Sequence, residues 1–369
     1  MTYKYRGTQP SGLNGGGGSG ATPATRWVLA GSNEEIWYAA NSDQTDWTGY
    51  EHAGGNSNGF TIGFGKNSSG DGIYIVPMNN TNNEIRVSGT DVTSTATWTS
   101  VNLPGAATIQ LFAMVWGAAS NGATAGVWLA GGKLDTEAKI YRSTDGGANW
   151  TGIDISSIVP DTSEAIPTIA SDGSGKWAFV QDQYLYYSTD DGQSFARSTP
   201  FSSTRLNGIA YNESNSTWVI AYTNSGLKVR SAAASDLTTW SSETAVTGTG
   251  GAVQVPASGL GRRTRIAAYN GRIAIVSAIG SSTNTRLGFA DVNGTTISNM
   301  DSVAITNASD VSKDMFTDGT TWMLVTRGAD VWTSTDNAET WTKIVDGISG
   351  FGNGALQGVT GDVFLPIGS

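Results

Sequence analysis

Short apolar runs recur along the whole chain, separated by polar segments rich in Gly, Ser, Thr and Asn. Two clear examples are Trp27-Val28-Leu29-Ala30 and Trp322-Met323-Leu324-Val325. Runs of this length between turn-forming residues predict β-strands rather than helices. Seven of the runs contain a large apolar residue, and these residues are Trp27, Tyr74, Trp128, Trp177, Trp218, Ile273 and Trp322.

A polar motif forms a second series in phase with the first. Three copies read Ser-Thr-Asp and have an aromatic residue five positions after the Asp. The Ser and Asp side chains can bind backbone amides of their own turn, and a Gly allows a positive φ. Burying the aromatic is worth roughly 4–6 kcal/mol, so it is the predicted anchor. The residues assigned to these turns are Ser143, Asp145, Gly147, Trp150, Ser188, Asp190, Gly192, Phe195, Ser334, Asp336 and Trp341.

Weaker copies of the motif fill the gaps between these three. They are Asp43 with Trp47, Asp91 with Trp98, Asp236 with Trp240, and a copy at Asp291 whose aromatic is lost, with its equivalent near Thr296. The seven closing positions are 45 to 56 residues apart. Periods of about 40–50 residues are typical of four-stranded propeller blades. The sequence therefore predicts an all-β fold, a seven-bladed β-propeller of four-stranded antiparallel blades.

The two ends of the chain are predicted to differ in role. By phase, Trp27 lies in the second strand of blade 1, so the inner strand of that blade is missing from the N-terminal side. Residues 355–360 are predicted to supply it and to close the ring, and residues 362–367 to add an edge strand. Residues 1–25 are predicted to be a flexible Gly-rich N-terminal arm, and residues 26–369 the propeller.

Composition and charge exclude several functions. Charged residues make up only 14% and the net charge is −10, which disfavours specific nucleic-acid binding because phosphate contacts need Lys or Arg clusters. The nearest basic cluster, Arg262, Arg263 and Arg265, is interpreted as a solvated turn. With one histidine, His52, and no cysteine, we expect no catalytic residue, metal site or cofactor. No apolar segment predicts a membrane helix or a signal peptide.

The repeated turns resemble those of the Asp-box (BNR) propellers. That family includes sialidases, photosystem assembly factors, sortilin-type receptors and phage-encoded propellers, and the resemblance covers residues 26–369. Sialidases in this family carry an Arg-Ile-Pro motif ahead of the first of three carboxylate-binding arginines, and this chain has no such motif. The resemblance therefore implies a propeller without implying glycosidase activity.

A structural protein of a bacteriophage virion is the function that these observations favour. The Ser-, Thr-, Asn- and Gly-rich composition is similar to that of phage tail components such as hub or nozzle proteins. Such a protein would be made in the host cytoplasm, lie in the virion, and bind other virion proteins in multiple copies, with the arm 1–25 as one contact. The alternative is a carbohydrate-binding propeller that uses Trp37, Trp116 and Trp332; a sialidase-like glycosidase is less favoured.

Overall fold

The computed structural model describes most of the chain. The described residues are 3–6, 10–12, 25–31, 35–51, 58–59, 61–79, 83–93, 97–105, 108–134, 137–159, 164–198, 201, 206–223, 227–248, 251–252, 264–277, 284–306, 312–326, 328–348, 356–361 and 364–366.

Regular structure in these ranges consists of short strands. The first seventeen are β1 Tyr3–Arg6, β2 Pro10–Gly12, β3 Arg26–Gly31, β4 Glu35–Ala40, β5 Thr48–Glu51, β6 Asn58–Gly59, β7 Gly63–Lys66, β8 Gly72–Asn79, β9 Glu84–Val87, β10 Thr99–Asn102, β11 Ile109–Gly117, β12 Val127–Leu134, β13 Glu137–Ser143, β14 Thr151–Ile153, β15 Thr168–Ser171, β16 Trp177–Gln181 and β17 Tyr184–Ser188. The next seventeen are β18 Ala196–Arg197, β19 Leu206–Asn212, β20 Thr217–Thr223, β21 Leu227–Ala233, β22 Thr244–Ala245, β23 Thr247–Gly248, β24 Gly251–Ala252, β25 Thr264–Tyr269, β26 Arg272–Ser277, β27 Asn284–Asn293, β28 Thr296–Thr306, β29 Ser312–Thr317, β30 Trp322–Thr326, β31 Val331–Ser334, β32 Thr342–Val345, β33 Leu356–Gly361 and β34 Phe364–Pro366.

Seven antiparallel sheets form the predicted seven-bladed propeller, which is confirmed. From the inner to the outer strand, blade 1 is β33-β3-β4-β5, blade 2 is β7-β8-β9-β10 with β6 added beside β8, blade 3 is β11–β14, blade 4 is β15–β18, blade 5 is β19–β22, blade 6 is β25–β28 and blade 7 is β29–β32. Within each blade the chain reverses at every strand. The turn that joins strands three and four therefore lies at the same end of every blade, and in blades 2 to 7 the turn that joins strands one and two lies at that end too. We name this end the turn face.

Blade 5 shows how closely the apolar pattern fixes a blade. Its apolar runs predict an inner strand at 206–211, a second strand at 218–222 and an outer strand at 240–246. The first two match β19 and β20 to within a residue or two. The predicted outer strand, 240–246, is wrong in length, because β22 covers only Thr244–Ala245. Trp240 still belongs to the turn, where its indole nitrogen donates to the carbonyl of Leu237 at 2.9 Å.

The C-terminal segment closes the ring as predicted. Strand β33 pairs antiparallel with β3, with Trp27 opposite Gly361 and Leu29 opposite Val359. Strand β34 does not extend blade 1 as expected. It pairs instead with β1 of the N-terminal segment, in a separate sheet of order β2-β1-β34. The chain from β33 to β34 is only two residues long, so β34 lies near the axis rather than at the outer edge.

The core lies between neighbouring blades. The large residues of the apolar runs, Trp27, Tyr74, Trp128, Trp177, Trp218, Ile273 and Trp322, are all buried in second strands. Trp128 and Trp177 pack closely against the preceding blade because that blade has a glycine at each contact. A Cβ added at Gly65 would lie 2.6 Å from the Trp128 ring, and one at Gly117 would lie 2.8 Å from the Trp177 ring. Such a Cβ would push the neighbouring sheets apart.

Candidate functional site

Three Ser-x-Asp turns on the turn face share one hydrogen-bond pattern. In blade 3, the Ser143 hydroxyl donates to Asp145 Oδ1 at 2.8 Å and accepts from the Gly147 amide at 3.0 Å. Asp145 Oδ1 also accepts from the Asn149 amide at 2.9 Å. The equivalent bonds recur in blade 4, from Ser188, Asp190, Gly192 and Ser194, and in blade 7, from Ser334, Asp336, Ala338 and Thr340. These bonds use both polar side chains inside the turn.

The same hydrogen bonds keep the turn carboxylates ionised. Partial burial raises the pKa of Asp145, but the bonds from Asn149 and Ser143 outweigh it and lower the pKa overall. In blade 5, bonds from Thr238 and Thr239 lower the pKa of Asp236 to about 2. The turn face therefore carries fixed negative charge at neutral pH.

In four of the turns the tryptophan folds back and donates to the backbone of its own turn. The Trp150 indole nitrogen donates to the Gly147 carbonyl at 2.9 Å, and Trp341 donates to Ala338 at 3.1 Å. Trp47 makes the same bond to Gln44, three residues earlier, at 2.8 Å. Trp150 is 8% exposed and packs in the core between blades 2 and 3. The turn thus couples a polar surface loop to the apolar contact between two blades.

Arginines from the preceding blade reach two of these turns. Arg142 Nε of blade 3 donates to the carbonyl of Asp191 at 2.7 Å, and Arg272 Nε of blade 6 donates to the carbonyl of Asn337 at 3.0 Å. Asp191 and Asn337 occupy the same position of their turns and have positive φ values of 59° and 63°. This conformation turns the carbonyl toward the neighbouring blade, where the guanidinium can bind it.

The axis of the ring is crossed by a buried charged residue that the sequence did not reveal. Arg265 is 1% exposed, so its interpretation as part of a solvated turn is wrong. It lies in the inner strand of blade 6 and forms an ion pair with Asp314 of blade 7, Nε to Oδ1 at 3.2 Å. Its other nitrogens donate to the carbonyls of Pro167 at 3.2 Å and Phe112 at 3.4 Å. The cluster of three arginines in the sequence did not indicate that one of them, Arg265, is buried.

The aromatics considered for sugar binding are buried. Trp116 is fully buried, while Trp37 and Trp332 are 8% and 6% exposed. Trp116 donates to the carbonyl of Ala125 at 2.7 Å, so its polar edge also lies inside. None of the three can stack on a sugar from solvent. His52, Arg262 and Arg263 lie outside the described residues.

A pocket of about 370 Å³ opens between blades 6 and 7. Arg272 lies in its wall, 4.8 Å above the Phe289 ring, and forms ion pairs with Asp291, at 3.0 Å, and with Glu339. Arg272 thus joins a carboxylate of its own blade to one of the next blade, which supports a structural role. Within the described ranges, no three His, Asp or Glu side chains are grouped so as to hold a metal ion. Among the same residues we find no helix with the length and apolar character that a membrane crossing requires.

Comparisons with known proteins show the fold and not the family. No protein-family model matches the chain, and neither does any curated protein. Among solved structures, the chain is similar to YCF48 from Cyanidioschyzon merolae, with 13% identity over 83% of this chain and 94% of that one and a TM-score of 0.50. It is also similar to a structure of YCF48 bound to D1 peptide (13% identity, 94% of both chains, TM-score 0.46) and to a chain of a nidogen/laminin complex (11% identity, 81% of this chain and 97% of that one, TM-score 0.47). At these identities the likeness extends to the propeller architecture alone.

Proposed function

We propose that this chain is a non-enzymatic assembly protein that binds other proteins and is a structural component of a bacteriophage virion. We further propose that its Ser-x-Asp turns are Asp-box turns, as in BNR propellers of the phage-encoded type. The observation that carries the proposal is the filled axis of the ring. Arg265 and Asp314 form a buried ion pair there, and Arg265 donates to the carbonyls of Pro167 and Phe112 across the ring, so the inner strands form a rigid hub.

A rigid hub leaves the outer surfaces for recognition. The turn face presents an aspartate in the turn between third and fourth strands of six blades, namely Asp43, Asp91, Asp145, Asp190, Asp236 and Asp336. Hydrogen bonds within the turns lower the pKa of each of these carboxyls. A fixed array of negative charge favours a partner protein with a basic surface and disfavours a phosphate backbone.

The location and partners proposed for the chain follow from the same reasoning. It would be made in the host cytoplasm, enter the virion in multiple copies, and contact other virion proteins through the turn face and the N-terminal arm 1–25. The arm has a structural partner in its own chain, because β1 pairs with β34 close to the closing strand. A partner protein that binds the arm would therefore lie beside the axis of the ring.

Mass spectrometry of particles purified from lysates of cells that express the gene tests the proposal. We expect the chain at a constant ratio to other particle proteins, with a copy number above one. A chain that is absent from particles and monomeric at all concentrations would exclude the assembly role. Binding on a glycan array would favour the carbohydrate-binding alternative, and turnover of a fluorogenic sialoside would favour the glycosidase.

A further inference from the structure

The strand that closes the ring is held by a side chain as well as by its pairing in blade 1. Asp314 Oδ2 accepts the backbone amide of Val359 in β33 at 3.1 Å. Asp314 lies in the inner strand of blade 7, the neighbour that meets blade 1 when the circle closes. It is fully buried, and so is Val359. The carboxylate therefore connects the last blade to the closing strand inside the hub.

A buried carboxylate needs a compensating charge, and Arg265 supplies it. The guanidinium lies 3.2 Å from Asp314 and also binds the carbonyls of Phe112 in blade 3 and Pro167 beside blade 4. An unpaired buried carboxylate would be neutralised or drawn toward water, because desolvation strongly disfavours its charge. The position of Asp314 thus depends on Arg265, which is itself fixed by blades on the opposite side of the axis.

We propose that Arg265 and Asp314 form an axial latch that holds the closing strand in its own ring. The latch joins blades 3, 4, 6 and 7 to β33, so release of the closing strand depends on the whole hub and not on blade 1 alone. Arg265 acts as a positioning residue, and Asp314 is the group that holds the strand. Because β34 follows β33 after two residues and pairs with β1, the latch also governs whether both ends of the chain stay docked.

A comparison within the hub shows what the latch adds. Between blades 4 and 5 a neutral hydroxyl does the equivalent work, since Thr168 Oγ1 accepts the amide of Ile209 at 3.2 Å. Both strands in that contact belong to blades that are formed by one continuous stretch of the chain. The junction of blades 7 and 1 joins a strand from the far end of the chain, and there the acceptor is ionic and tied to three other blades.

Hydrogen exchange of backbone amides, measured residue by residue in the full chain, tests the latch. Asp314→Leu and Arg265→Met should each speed exchange at Val359 by roughly tenfold or more, because a hydrogen bond to a charged group contributes at least that factor. Arg265→Lys keeps a charge opposite Asp314 and should leave Val359 protected. Thr168→Val should speed exchange at Ile209 and leave Val359 unchanged.

The double variant Arg265→Met with Asp314→Leu separates the latch from general stability. Replacing both charges by apolar side chains removes the uncompensated charge of either single variant, so its denaturation midpoint should recover toward that of the native chain. Val359 should still exchange fast, because its acceptor is gone. Native protection of Val359 in the double variant, or loss of protection in Arg265→Lys equal to that in Arg265→Met, would overturn the proposal.

Discussion

Blade 3 and blade 6 close their outer edges in different ways. In blade 3 the turn from Ser143 to Trp150 carries the full set of hydrogen bonds and the buried indole, and the fourth strand has only three residues. In blade 6 the aromatic is missing, and a plain hairpin at Gly294 joins strands of ten and eleven residues. An outer edge can therefore be fixed by one buried ring or by a long ladder of backbone hydrogen bonds.

Removing the side chain at the closing position of the turn in each blade tests this difference most strongly. Trp150→Ala should lower the free energy of unfolding by roughly 3–5 kcal/mol, because it leaves a cavity between blades 2 and 3. Thr296→Ala, at the equivalent position of blade 6, should change it by less than about 0.5 kcal/mol. Denaturant melts of both variants measure the difference. Equal losses would show that the aromatic is not the anchor.

Glycine substitutions in the two turns should change the free energy of unfolding by smaller amounts. Gly294 has φ of 58° and open space around a Cβ, so Gly294→Ala should cost about 1–2 kcal/mol from backbone conformation alone. Gly147 has φ of 87°, and a Cβ there would lie 2.5 Å from Ile75 Cδ1. Gly147→Ala should therefore cost more than Gly294→Ala in the same melts. The reverse order would contradict the packing of the blade 3 turn against blade 2.

The polar part of the blade 3 turn should matter less than its ring. Ser143→Ala removes the acceptor of the Gly147 amide and should cost about 1 kcal/mol. Ser298→Ala, on the exposed fourth strand of blade 6, is the matched control and should fall within about 0.5 kcal/mol of the native chain. A loss at Ser143 larger than that at Trp150 would reverse the proposed division of roles.

The smallest expected effect is the loss of stability that acid causes through Asp145 in the blade 3 turn. The pKa of Asp145 is lower in the folded chain than its ordinary value, so its contribution is present above that ordinary value and is lost as pH falls through the folded pKa. Stability measured from pH 5 downward should therefore fall less steeply in Asp145→Asn than in the native chain. Parallel curves for the two proteins would show that the turn carboxylate adds no pH-dependent stability.

Much of the fold could be predicted from local signals. Trp27 and Trp322 open apolar runs that become buried second strands, and the spacing of the Ser-x-Asp turns sets the number of blades. Closure by the C-terminal strand followed from the phase of Trp27. The long outer strands of blade 6 were harder to predict, because the turn between them has no aromatic residue.

The axial latch could not be predicted in the same way. Arg265 and Asp314 are far apart in sequence, and each follows or precedes polar residues typical of turns. Blades 6 and 7 are neighbours, but the contacts of Arg265 with Phe112 and Pro167 and of Asp314 with Val359 depend on closure of the entire ring. A single sequence records no signal of contacts that only the closed circle creates.

Electron cryomicroscopy of particles purified from lysates tests the proposed assembly role most directly. It should show seven-bladed rings in several symmetry-related copies, each touching other particle proteins through the turn face or the N-terminal segment, with Arg265 across a closed axis. Particles that lack the ring, together with a purified chain that stays monomeric at high concentration, would contradict the account.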